Sequence, residues 1–231
     1  MGRDNSAMVK AENVSKTYRL SKQNRVEALR NVTISVAKGQ SVIIRGASGS
    51  GKSTLLRLLG FLDRPSAGRI FHDGEDVTGF SEEELCRIRS ERIGFVFQDF
   101  RLLPRMAAWE NASVSLVPLG VREKDRFRRA SALLDQLGLH DRIYHRPEEM
   151  SGGEQQRLAM ARALIRDPEL LLADEPTSNI DADSARKALE ILAGLRSRGC
   201  TIVMATHDVD LFHPFEADAV YCLANGMIEP L

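Results

Sequence analysis

Nine residues constrain this chain more than any others. Gly46-Ala47-Ser48-Gly49-Ser50-Gly51-Lys52-Ser53-Thr54 fits the pattern G-x-x-x-x-G-K-[ST]. The pattern needs a strand before it and a helix after it. Ser41-Val42-Ile43-Ile44-Arg45 is apolar through its middle, as a buried strand is. Thr54 to Gly60 carries leucines at 55, 56, 58 and 59, which suits a packed helix. Between them, glycines let the backbone curl so that successive N–H groups face inward around phosphate oxygens. The helix adds its positive end at the same place. Lys52 then reaches the outer phosphates as a compact cation, and the Ser53 hydroxyl can ligate Mg²⁺. With glycine at about 7% of residues, a chance match in a chain this long is roughly a one per cent event.

A second apolar run, Leu170-Leu171-Leu172-Ala173, ends in Asp174-Glu175. A buried strand delivers such acids to the carboxyl edge of a sheet, where α/β proteins bind ligands. Asp174 is expected to hold the metal ion and Glu175 to orient or deprotonate an attacking water.

The rest of the chain reads as a mixed α/β protein. Val9 to Val14 and Val32 to Val36 are β-branched runs in an N-terminal β part, and Ile93 to Phe97 is a further strand. Ser81-Glu82-Glu83-Glu84 reads as a capping box. Helices are expected over Glu123 to Leu137, Glu154 to Ile165 and Ala182 to Arg196. Strand and helix alternate through Thr201 to Ala205, which implies parallel strands.

Composition narrows the function classes. Lysine plus arginine and aspartate plus glutamate both total 32, so there is no basic excess and no nucleic-acid partner is expected. The arginines at 126, 128 and 129 read as a solvated helix face. No apolar run approaches the ~20 residues of a membrane span. The opening MGRDNSAMVK lacks the apolar middle of a signal peptide. Cys86, Cys200 and Cys222 are odd in number and far apart, which suits a reducing cytoplasm.

Ser151-Gly152-Gly153-Glu154-Gln155-Gln156-Arg157 resembles the signature motif of ABC ATPases. Ser151 and two glycines opening a helix make a second anion site of N–H groups. One triphosphate does not need two such sites in one chain. The resemblance implies a head-to-tail homodimer, in which residues Ser151 to Gln155 of each copy close on ATP held by the phosphate loop of the other. It also implies that Gln98 contacts Mg²⁺ and the attacking water, that Asp181 links the two sites, that His207 touches the γ-phosphate, and that Tyr18 stacks on adenine. The resemblance runs from about Val9 to Ile228 with all six elements in order.

The fold it implies is the phosphate-loop NTPase of ABC type: a mixed β core with parallel strands, an N-terminal antiparallel β part and an α-helical subdomain. The expected division of this single domain is a catalytic core at 8–98 and 166–231 and a helical subdomain at 99–165. Val96 to Pro104, Trp109-Glu110-Asn111 and Ala173 to Asp181 resemble one branch, the ATPases of lipoprotein-releasing, macrolide-export and cell-division systems. That branch works at the cytoplasmic face of a membrane against a separate permease subunit, with ATP and Mg²⁺ as ligands. Phe100, Leu102 and Leu103 suit either a groove for that permease or the core. A non-transport ABC ATPase is the alternative. Ser178, Ile180, Arg45 and Phe212 to Phe215 depart from the branch pattern without touching a catalytic position.

Overall fold

The computed structural model describes residues 7–19, 21, 24–178, 180–207 and 217–229. Asn179 and the segment 212–215 lie outside the described residues.

Two sheets enclose the main core. The first is antiparallel, in the order β2-β1-β4-β5, from β1 (Ala7–Arg19), β2 (Arg25–Ala37), β4 (Ala67–His72) and β5 (Glu75–Asp76). The second is ordered β10-β9-β3-β8-β7-β6, from β3 (Ser41–Arg45), β6 (Ile93–Val96), β7 (Leu170–Asp174), β8 (Thr201–Thr206), β9 (Ala219–Ala224) and β10 (Met227–Glu229). Its strands from β9 to β6 are parallel, and β10 returns antiparallel to β9.

The ribbon β1–β2 is much longer than its apolar runs suggest. Asn13 and Asn31 adopt left-handed backbones (φ 51° and 48°) where the pairing register shifts. Asparagine tolerates that conformation, so pairing continues through residues that read as breaks.

β3 shows why its sequence is apolar on both faces. Val42 and Ile44 pack toward the antiparallel sheet and α1 (Lys52–Leu59), in the cluster that holds Val9, Leu29 and Leu55. Ile43 faces the other way, with Leu171, Ile202 and Leu192 of α6 (Ala182–Ser197). Leu55, Leu56, Leu58 and Leu59 are all fully buried, each stabilising the fold by about 2 kcal/mol. A third cluster joins α3 (Ala108–Ser113), α4 (Glu123–Gln136) and α5 (Gly152–Leu164) through Ala112, Ala130, Leu134 and Leu158. The helix α2 (Glu82–Arg92) opens on the Ser81/Glu84 capping box.

A polar network ties the antiparallel sheet to the parallel one. His72 is buried; its Nδ1 donates to the Met8 carbonyl (3.1 Å) and its Nε2 accepts from Arg92 (3.2 Å). Arg92 also pairs with Asp73 (2.7 Å) and Glu169 (2.5 Å), and Lys38 pairs with Asp73 (3.0 Å). Burial holds the His72 pKa below its ordinary value, and the Arg92 charge adds to that against the pull of Asp73 and Glu169.

The unfolded chain therefore takes up the His72 proton at higher pH than the folded one. Stability linked to His72 is full above about pH 6.5 and falls as pH drops below it. Denaturant midpoints measured from about pH 7 to about pH 5 are expected to fall, and His72→Gln to flatten that slope. An unchanged slope in the variant would show that the histidine binds its proton equally in the folded and unfolded states. Asp73 and Glu169, both held below the usual carboxylate range, lose their contribution only in the more acidic carboxylate range.

Candidate nucleotide site

β3 feeds the phosphate loop and α1 leaves it. Gly49 and Gly51 are left-handed (φ 79° and 107°). A Cβ at Gly51 would sit 2.5 Å from the Ala28 carbonyl oxygen, and one at Gly46 would run into the Leu223 carbonyl. The loop is therefore pressed against β2 and β9 as well as curled on itself.

An open cavity of about 670 Å³ lies over this loop. Ala47, Ser48, Gly49, Gly51, Lys52, Ser53 and Thr54 line it on one side, with Gln98, Glu175 and His207 facing them. Lys52 is 6% exposed and donates to the carbonyls of Gly46 (2.8 Å) and Ala47 (3.2 Å). Its ammonium also pairs with Glu175 Oε1 (3.3 Å). The other Glu175 oxygen meets His207 Nδ1 (2.8 Å) and accepts from the His207 backbone N–H (3.3 Å). Glu175 itself has a left-handed backbone (φ 47°), held by its N–H to the Ala205 carbonyl (2.9 Å). Three neighbouring strands thus set the geometry: Lys52 follows β3, Glu175 follows β7, and β8 between them supplies Ala205 and leads into His207.

Ser53 donates to Asp174 Oδ1 (3.0 Å) at the end of β7. Burial pushes the Asp174 carboxyl above its ordinary value, partly offset by the Ser53 hydrogen bond. Ser53, Asp174 and Gln98 line a smaller adjoining cavity of about 330 Å³. Hydroxyl, carboxylate and amide oxygens are the donor set a hard divalent cation takes, shared with phosphate oxygens. Among the described residues no group of three or more His, Cys, Asp or Glu could hold a metal alone.

The remaining expected residues lie elsewhere. Ser151 caps α5: its Oγ accepts from the Glu154 N–H (3.3 Å), and Glu154 accepts from the Ser151 N–H (2.7 Å). Glu154 also binds Arg142 (2.8 Å), which pulls its carboxyl below the usual range against the effect of burial. Gln155 donates to the Met150 carbonyl (3.0 Å). Asp181 caps α6 through the Ser184 N–H (3.0 Å) and Oγ (2.7 Å). Gly152 opens α5, and Gly153 lets that helix meet α6: a Cβ there would run into Ser184. This cluster is separate from the residues that line the phosphate cavity. Tyr18 does not line it either; its strand neighbour Val26 does, and the Tyr18 hydroxyl bonds Asp63 (2.9 Å). Ser50 is buried in the loop, and its carbonyl accepts from Gly226.

Sequence reasoning missed the rest of the wall. Glu27, Ala28, Arg30, Asn225 and Gly226 line the cavity. Gly226 donates to the Ser50 carbonyl (3.1 Å) and accepts from the Arg30 N–H (2.7 Å). Asn225-Gly226 is a hairpin signal that would have revealed the β9–β10 turn. Arg162 was also missed: from α5 it donates to the carbonyls of Phe100 (2.6 Å) and Arg101, two successive left-handed residues after Gln98. Leu102 packs on the helical cluster, whereas Leu103 is exposed.

Residues 29–178 match the family model described as ABC transporter. The lipoprotein-releasing system ATP-binding protein LolD of Aquifex aeolicus is 44% identical over 204 residues, covering 88% of this chain and 89% of that protein. The macrolide export ATP-binding/permease protein MacB of Chlorobaculum tepidum is 44% identical over 224 residues, covering 96% of this chain but only 33% of that longer protein. The dimeric, post-hydrolysis structure of the ATP-binding cassette MJ0796 bound to ADP and Pi superposes with TM-score 0.90 at 37% identity, covering 96% of this chain and 97% of that one.

Glu175 holds the Lys52 ammonium in this structure, and a phosphate bound at that lysine would compete with it. Glu175→Gln is expected to bind ATP about three- to tenfold more tightly than the parent by titration calorimetry in the absence of hydrolysis. Equal or weaker binding would show that the pair does not oppose the ligand.

Proposed function

The chain belongs to the ABC transporter family, and from that premise we propose that it works as one half of a head-to-tail ATP sandwich driving a separate membrane subunit. Its chemistry is that of the family: ATP and water become ADP and phosphate. The observation that carries the two-chain reading is the separation of two anion sites. The phosphate loop, Gln98, Glu175 and His207 surround one cavity, while the Ser151–Gly153 helix start lies outside it. A second copy related by a two-fold axis would bring its Ser151, Gly152 and Gly153 to the outer phosphate of the first.

In this reading the phosphate-loop N–H groups and Lys52 bind the triphosphate, and Tyr18 meets the adenine at the cavity rim. Ser53, Asp174 and Gln98 would hold Mg²⁺, which when bound neutralises phosphate charge. Freed from Lys52, Glu175 polarises the attacking water and takes up its proton. His207, hydrogen-bonded to Glu175, positions that carboxylate and reaches toward the γ-phosphate. Asp181 at the start of α6 joins the two halves. Loss of the γ-phosphate removes what the partner helix grips, and the pair reopens.

Residues 99–165 form the helical subdomain in this scheme, and 8–98 with 166–231 the catalytic core. No helix among the described residues is long and apolar enough to cross a membrane. We place the chain at the cytoplasmic face of a membrane, held there by a permease of the lipoprotein-release or macrolide-export type. The exposed Leu103, five residues after Gln98, belongs to the surface that would receive it.

Light scattering on Glu175→Gln tests the sandwich. A monomer that becomes a dimer only on adding Mg-free ATP is the expected result, with turnover lost. Ser151→Arg should bind ATP as a monomer and fail to dimerise. Dimerisation that persists in Ser151→Arg would remove the signature helix from the interface.

A further inference from the structure

α1 joins two places. Its first residue is Lys52, in the phosphate loop, and its last leads through Gly60 and Phe61 to Asp63. The Asp63 carboxylate is a hub. Oδ2 accepts from the Tyr18 hydroxyl (2.9 Å), and Oδ1 accepts from Lys16 Nζ (2.5 Å) and from the Arg64 N–H (2.7 Å). Lys16 is held a second time by the Arg64 carbonyl (2.7 Å) and stands 5.0 Å from the centre of the Tyr18 ring.

The backbone around this hub is stitched as well. Ser66 donates to the Ser15 carbonyl (2.8 Å), and the Thr17 N–H donates to Ser66 Oγ (3.0 Å). The ring is therefore anchored at its hydroxyl to a loop that α1 connects to the phosphate loop. Its strand partner Val26 and its neighbour Thr54 both line the nucleotide cavity. Burial works to raise the Asp63 pKa, but the bonds from Lys16 and Tyr18 outweigh it and keep the carboxyl below its ordinary value.

We propose that Asp63 is a positioning residue for the base: it fixes the Tyr18 ring at the cavity rim and thereby sets the preference for a purine over a smaller ring. This rests on the reading of Tyr18 as the ring that meets adenine. A free tyrosine in β1 would swing about its side-chain torsions and lose stacking area when it moved. Anchored by Asp63, it offers a fixed face before the nucleotide arrives, so little ordering cost falls on binding. A two-ring purine covers more of that face than a pyrimidine does.

The test is the ratio of ATP to UTP affinity, since UTP carries the same triphosphate and ribose on a smaller ring. Tyr18→Phe keeps the ring and removes the hydroxyl; Asp63→Ala removes the acceptor. Each is expected to lower the ratio about three- to tenfold with UTP affinity nearly constant, and the double variant to fall no further. Equal loss of ATP and UTP affinity in Tyr18→Phe would mean a general lesion and overturn the proposal. An unchanged ratio in Tyr18→Phe and Asp63→Ala, with a lowered ratio in Tyr18→Ala, would overturn the role of Asp63 and leave that of Tyr18. An unchanged ratio in Tyr18→Ala as well would remove both. Should Asp63→Ala not fold, Asp63→Leu is read by the same criterion, because Tyr18→Phe also removes the hydroxyl's bond to Thr54.

Discussion

The ammonium of Lys52 is almost wholly removed from water, and a charge in that position needs partners on every side. Two come from its own loop, the Gly46 and Ala47 carbonyls, and the third is Glu175. The first two require the loop to curl. The third requires β7 to deliver an acid next to β3's loop, with β8 between them to hold that acid's backbone by Ala205 and its side chain by His207. The strand order of the sheet is thus a condition for burying one lysine. In the proposed nucleotide-bound state a phosphate would replace Glu175 as the counter-charge.

α5 carries the second constraint. At its start, Ser151 and Glu154 close a capping box that Arg142 anchors. One turn on, Gln156 donates to the Pro176 carbonyl (2.6 Å), beside Glu175. Near its end, Arg162 grips the carbonyls of the corner after Gln98. A single helix therefore touches the backbone just after Glu175 and just after Gln98. Phe100 and Arg101 pay a backbone cost of about 1–2 kcal/mol each in their left-handed conformation, and the Arg162 guanidinium stabilises that corner.

What was legible in the sequence follows from how local the physics is. The phosphate loop and the Leu170–Glu175 strand announce themselves because a few consecutive residues satisfy a backbone demand: curl for one, burial on both faces for the other. The capping box at Ser81 and the helix start at Ser151 were readable for the same reason. The long ribbon β1–β2 was not, because Asn13 and Asn31 continue it as bulges while looking like breaks. Arg162 and Asp63 were silent: their partners lie 62 and 45 residues away, and an arginine or an aspartate alone specifies nothing. β9 and β10 carry a hairpin dipeptide, yet only the fold shows that their turn walls the phosphate cavity.

β3 sits between β8 and β9. Both of its edges are therefore filled by strands formed from residues beyond 200, although the strand itself ends at Arg45. During synthesis this apolar strand waits with two open hydrogen-bonding edges until the residues beyond 200 have been made. Its contacts are of high sequence separation, so this sheet closes late and slowly. In a growing or truncated chain that strand is the place where a second copy can pair wrongly, and its protection falls to whatever covers nascent polypeptides.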